Sequence, residues 1–120
     1  MKISIITVFA LSLVACSLAQ QGALLGAYDA IENNDCSSAY GELSEVEFLV
    51  EPSYQLAAEI IYLRGVCLEK EGKDQEAIGQ FSFLIDNYPD SEYAYRAKNK
   101  FAMLDEELKE ILRKAEDNEK

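Results

Sequence analysis

The sequence predicts an all-α fold in which paired helices repeat as a solenoid. Three observations carry this. Apolar residues recur at helical rather than strand spacing. Turn-forming residues interrupt the chain at regular intervals. A two-helix pattern returns in a register that lays position 36 on position 74.

The elements are clearest in the second half. In YQLAAEIIYLRGVCLEKE (54–71), Leu56, Ile60, Leu63, Val66 and Cys67 share a helical face. Gly72 follows as a left-handed stop, and Asp74 is the expected cap of the next helix. That helix (75–88) aligns Ala77, Ile78, Phe81, Leu84 and Ile85, and Pro89 closes it. Asp90 or Ser91 caps a last helix, which frays into a polar tail at 113–120.

The same register lays CSSAYGELSEVEFLV (36–50) over DQEAIGQFSFLIDNY (74–88). Ala39 matches Ala77, Gly41 matches Gly79, Leu43 matches Phe81, Ser44 matches Ser82 and Val46 matches Leu84. Upstream, Leu25 matches Leu63, Ala27 matches Gly65 and Ala30 matches Leu68. Asn33-Asn34 stands where Glu71-Gly72 stops the later helix, and asparagine tolerates the left-handed conformation. The expected domain is residues 23–112, about two and a half helix–turn–helix repeats in five helices. Its third repeat is represented only by an opening helix, with Ala102 where Gly65 stands.

The N-terminus reads as an export signal. Only Lys2 is charged before Asp29, and the apolar run extends only from Ile3 to Ala15. A membrane-crossing helix needs about 20 apolar positions, which this run does not reach. A short run ending in small residues has the layout of a secretory signal. Two cleavage sites compete. Ser17-Leu18-Ala19 suits ordinary signal peptidase. Leu13-Val14-Ala15-Cys16 resembles a bacterial lipobox, whose cysteine receives diacylglycerol and becomes the mature N-terminus. That resemblance implies a signal peptide at 1–15, lipidation of Cys16 and a short tether at 16–22. Ser17 after the cysteine resembles lipoproteins sent to the outer membrane.

Cleavage before Cys16 leaves 10 basic and 22 acidic residues, a net charge of −12. From Gln20 to Leu63 there are eight acids and no base. Such a surface repels phosphate and anionic head groups. Nucleic acid is therefore not an expected partner, and membrane attachment would rest on acyl chains. The chain has no His. The commonest general base and metal ligand is missing, and no phosphate loop, CxxC pair or nucleophile elbow appears. No enzyme activity, cofactor, metal site or small-molecule substrate is expected, and the carboxylates read as a solvated surface.

Gly65, Ala77, Phe81 and Pro89 follow one another at steps of 12, 4 and 8. They resemble the signature of the tetratricopeptide repeat, in which small residues let two helices approach and an aromatic fills the wedge. The first unit departs from it, with Leu43 for the aromatic and Pro52 one position late. The run Tyr88-Pro89-Asp90-Ser91, with Tyr93, Ala97, Lys100 and Leu104, resembles the outer-membrane β-barrel assembly lipoprotein BamD family. It is also similar to the repeat protein of the Tol–Pal system. The resemblance covers residues 77–108 well and 24–112 loosely. BamD-like chains carry about five repeats, so the assembly role is not carried over whole.

This resemblance implies a concave face that binds protein or peptide partners. Carried across, its positions are Leu24, Tyr28, Ile31 and Glu32 on the first helix. Glu59, Tyr62, Val66 and Glu69 follow on the third, and Arg96, Asn99 and Met103 on the fifth. Tyr28, Tyr62 and Met103 would be apolar anchors, and Glu32, Glu59 and Glu69 would favour a basic segment. The competing reading makes the tyrosines packing residues and the acids merely solvated. Cys36 and Cys67 form an even pair in an exported setting, either bridged or present as two small buried hydrophobes. The expected protein is a lipid-anchored adaptor on the periplasmic face of an outer membrane, in outer-membrane protein assembly or envelope maintenance. A soluble periplasmic or secreted module cut after Ala19 is the alternative.

Overall fold

The computed structural model describes residues 3–49 and 51–119; the side chains of residues 3–14 and of Cys16 lie outside the described residues. The described residues form five helices and no strand. In order these are α1 (Ile3–Glu32), α2 (Cys36–Leu49), α3 (Tyr54–Lys70), α4 (Asp74–Asn87) and α5 (Glu92–Asn118). The all-α expectation therefore holds. The chain divides into two compact units, Met1–Pro52 and Ser53–Lys120.

In the first unit α1 and α2 form an antiparallel hairpin. Among the described side chains, Ala23, Ala27, Ala30 and Ile31 make the buried row of α1, and Cys36, Ala39, Leu43 and Val46 that of α2. The spacings of 3 and 4 keep each row on one face. In the second unit α4 packs against both α3 and α5. Its core joins Ala58, Ala77, Phe81, Leu84, Ala94, Ala97 and Leu104.

The matched positions are buried alike in the two units. Ala27 and Gly65, Ala39 and Ala77, Leu43 and Phe81, and Val46 and Leu84 are all inside. Leu25 departs from its match, being 70% exposed while Leu63 is buried. Gly65 explains how closely α3 and α4 approach. A Cβ built there would lie 2.5 Å from Cε1 of Phe81. The missing methyl is the space the ring occupies.

The two interhelical turns are the same motif. At the end of α1, Asn34 takes φ 58°; its N–H donates to Ile31 O at 3.1 Å, and Asp35 N–H donates to Ala30 O at 2.8 Å. At the end of α3, Gly72 takes φ 73°; its N–H donates to Glu69 O at 3.0 Å, and Lys73 N–H donates to Leu68 O at 2.9 Å. These are paired Schellman turns, which satisfy the last carbonyls of a helix.

The shared geometry corrects one expectation. Asp74 does not cap α4; Lys73 holds the cap position and makes no side-chain cap bond. The Schellman turn hands the cap to the residue just after the left-handed one. In the first unit that residue is Asp35, which accepts from Ser38 N at 3.1 Å and from Ser38 Oγ at 2.6 Å. In the second it is lysine, whose side chain has no acceptor. Asp74 instead opens the first turn, where with Glu76 its charge complements the helix dipole.

Two segments expected outside the helical domain are helical. Residues 16–22 continue α1, and α5 runs through the polar tail to Asn118. Neither stretch contains proline. Lys109 bridges Asp105 at 2.6 Å and Lys114 bridges Glu110 at 3.2 Å, and such pairs support a helix lacking other contacts. Among the described residues no helix is long and apolar enough to cross a membrane.

Packing at the glycines can be tested directly. Gly65→Ala gains about 1 kcal/mol of helix propensity but forces a methyl into Phe81, and overpacking costs about 1–3 kcal/mol. The clash wins, so thermal unfolding should show net destabilisation, larger for Gly65→Val. Gly79→Ala on α4, with nothing within 4 Å of the added Cβ, should stabilise by about 0.5–1 kcal/mol.

The Ser38 hydrogen bonds, the hydroxyl before the amide, hold the Asp35 carboxyl below its usual range. A folded-state pKa below the unfolded one favours the native state above the unfolded value of about 3.9. That contribution fades as pH falls through the folded pKa. NMR titration should place the Asp35 carboxyl below the usual aspartate range, and Ser38→Ala should raise it. Lys73→Asp should supply the missing cap and raise Tm at neutral pH, with the gain lost in acid.

Candidate partner-binding face

The positions carried over from the repeat resemblance fall in both units and are described unit by unit. On α1, Tyr28 is 39% exposed and Glu32 is exposed, Leu24 is half-buried, and Ile31 belongs to the core. On α3, Tyr62, Val66 and Glu69 are half-buried. Glu59 is half-buried as well. On α5, Arg96 and Asn99 are exposed, and Met103 is 71% exposed.

In the second unit α3 and α5 meet along this face. The Tyr62 ring lies 5.9 Å from Phe81 and 5.6 Å from Tyr93, tilted against both. Tilted aromatic pairs at this separation are attractive beyond their buried area. The ring that could anchor a partner is thus also a packing residue linking three helices. Arg96 lies 5.4 Å from the Tyr93 ring centre and pairs with Glu92, which raises the guanidinium pKa. Lys100 reaches across from α5 to Glu69, with its Nζ 2.9 Å from Oε1 and 2.8 Å from Oε2. Glu69 therefore already holds a cation.

The Tyr88-Pro89-Asp90-Ser91 turn fixes where α5 begins. α4 stops at Asn87, with Tyr88 as its last cap. Ser91 N–H donates to Tyr88 O at 3.0 Å, and Ser91 Oγ donates to the same carbonyl at 2.8 Å. Ser91 Oγ also accepts from Ala94 N at 3.0 Å, capping α5. Proline supplies the rigid middle and removes a donor that the turn leaves unused. Tyr54, at the start of α3, packs with its ring centre 5.0 Å from that of Tyr88 and accepts a bond from Asp90 N at 3.3 Å. Beyond the turn, Ala97 is wholly buried and Tyr93 half-buried.

Three features lie beyond the sequence reading. They are Asp35 as a cap, Tyr54 as the brace of the turn, and the partner of Lys100, which the motif gives only as a basic residue. A signal for Asp35 is present, since Asp-Cys-Ser-Ser is a cap sequence. Tyr54 and Lys100 depend on contacts with positions far away along the chain, Asp90 and Glu69.

Cys36 and Cys67 are buried and disulfide-bonded. Cys16 lies on α1, with its side chain outside the described residues. No group of three or more His, Cys, Asp or Glu placed to hold a metal occurs among the described residues. The chain matches no protein-family model, no curated protein and no solved structure.

Ser91→Ala removes one cap bond and one bond to Tyr88 O from a buried site. It should cost about 1–2 kcal/mol, read as a fall in Tm without loss of helical signal at low temperature.

Proposed function

We propose that the chain is a lipid-anchored adaptor on the periplasmic face of an outer membrane. It is a short tetratricopeptide-like solenoid that binds protein partners, in outer-membrane protein assembly or envelope maintenance. The doubled hairpin carries this reading. Two helix pairs share one turn motif and one burial pattern in a single register. Repeats of this kind present extended binding surfaces.

Anchorage is the second part. The lipobox-like Leu13-Val14-Ala15-Cys16 gives a tether to a domain too acidic to hold an anionic membrane by charge. Several acyl chains on one cysteine would suffice, at about 0.8 kcal/mol per buried methylene. The Ser17-Leu18-Ala19 site favours a second reading, a soluble periplasmic or secreted module beginning at Gln20.

The partner side rests on exposed apolar residues beside acids. Tyr28 and Glu32 offer such a pair on α1. The second unit has a face of its own, whose acids are Glu59 and Glu69, and Glu69 already holds Lys100. A partner segment carrying Lys or Arg would suit either face.

Intact mass of the mature protein from envelope fractions tests the anchor. An acylated Cys16 N-terminus, lost in Cys16→Ser, is expected; an unmodified Gln20 start overturns the anchor in favour of the soluble module. Cys36 and Cys67 should contribute no free thiol in the unreduced sample. Glu59→Lys combined with Glu69→Gln should reduce capture of a basic partner roughly tenfold. Glutamine is preferred at 69, since lysine there would face Lys100. Unchanged capture would count against the acidic face.

A further inference from the structure

We infer that the overhanging end of α5 is a docking surface for a second copy of this chain, paired antiparallel through the same segment. The inference is independent of the adaptor reading.

α5 has 27 residues and α4 has 14. At 1.5 Å per residue these are about 40 Å and about 21 Å long. The last buried side chain of α5 is Leu104. From Asp105 to Asn118 the helix continues with its side chains exposed or half-buried. A lone helix of this length is marginal in water.

The overhang is not uniformly polar. Beyond the buried Leu104, Leu108, Ile111 and Ala115 continue at steps of 4, 3 and 4, the spacing of a coiled-coil seam. Leu108 is half-buried, Ile111 is 51% exposed, and Leu112 beside the seam is 54% exposed.

Charge selects the occupant and its direction. Glu107 and Lys114 flank the seam on one side, a heptad apart. In an antiparallel pair Leu108 meets Ile111 of the second copy, twice. Two-fold symmetry then sets Glu107 of each copy beside Lys114 of the other, twice. Within its own helix Lys114 reaches exposed Glu110, at 3.2 Å, and Glu107 takes no part in the ion pairs of this stretch. A lipid surface fits less well, because anionic head groups offer no cation for Glu107, whereas Lys114 of a second copy does. The seam is short, so association is expected on the order of micromolar.

The test is oxidative cross-linking of the full chain with Cys16→Ser, carrying Asp105→Cys and Leu112→Cys together. These lie a heptad apart on the other flank of the seam and leave Glu107 and Lys114 in place. The two positions are about 10 Å apart on one helix, too far for a disulfide within one copy. A covalent dimer is expected from the double variant and, at least about tenfold less, from either single variant. Adding Ile111→Glu, an exposed position that leaves the core intact, should abolish the dimer while circular dichroism stays unchanged. Absence of a dimer, equal dimer from the single variants, or a dimer that survives Ile111→Glu would overturn the inference.

Discussion

The second unit depends on how near α3 can lie to α4, and a missing methyl group sets that distance. Gly65 leaves a hollow that Phe81 fills completely. Burying the ring contributes about 1.5–3 kcal/mol, and the hollow confines it to one position. Its other edge meets Tyr62, Tyr62 meets Tyr93, and the α3–α5 contact follows from that order. The matched positions of the first unit differ in size. Ala27 stands for glycine and Leu43 for phenylalanine, and both are fully buried. A larger small residue accompanies a smaller large one, so the summed volume of the two positions changes little, which close-packed interiors tolerate best.

The turns impose the second constraint, and they are the most legible part of the sequence. Asn34 and Gly72 belong to the few residue types that adopt positive φ at little cost, so composition alone marks the breaks. The cap is harder to place, for a local reason. Aspartate is the better capping residue, and Lys73 precedes it, so propensity alone favours Asp74. Two backbone hydrogen bonds of the Schellman turn fix the helix start one position earlier, and side-chain preference cannot move it.

Helical periodicity also identifies the buried rows, because it reports which residues share a face. It says less about side chains at the edge of a face. Tyr62 and Glu69 lie there, and their roles depend on what a helix much later in the chain presents to them. Tyr93 and Lys100 make Tyr62 a structural ring and Glu69 an ion-paired acid. The extent of α5 is obscured for a similar reason. A polar composition reads as a fraying tail, yet intrahelical ion pairs recur through Lys114, and composition alone does not show their spacing.

The distribution of charge has a consequence for recognition. α5 carries most of the cations near acids of its own helix, and Lys100 is matched to Glu69. The seven acids from Asp29 to Glu51 have no lysine or arginine in their segment. The negative field is therefore strongest over the first unit. At physiological salt it decays over about 8 Å, less than the diameter of a helix. On the proposed adaptor reading, charge would draw in a basic segment and hold its orientation, but exposed ion pairs contribute only about 0.2–1 kcal/mol each. Selectivity for one partner would then come from apolar contact at short range. Tyr28, beside Asp29 and one turn before Glu32, is only partly covered and combines both, as does the more exposed Phe48 beside Glu47.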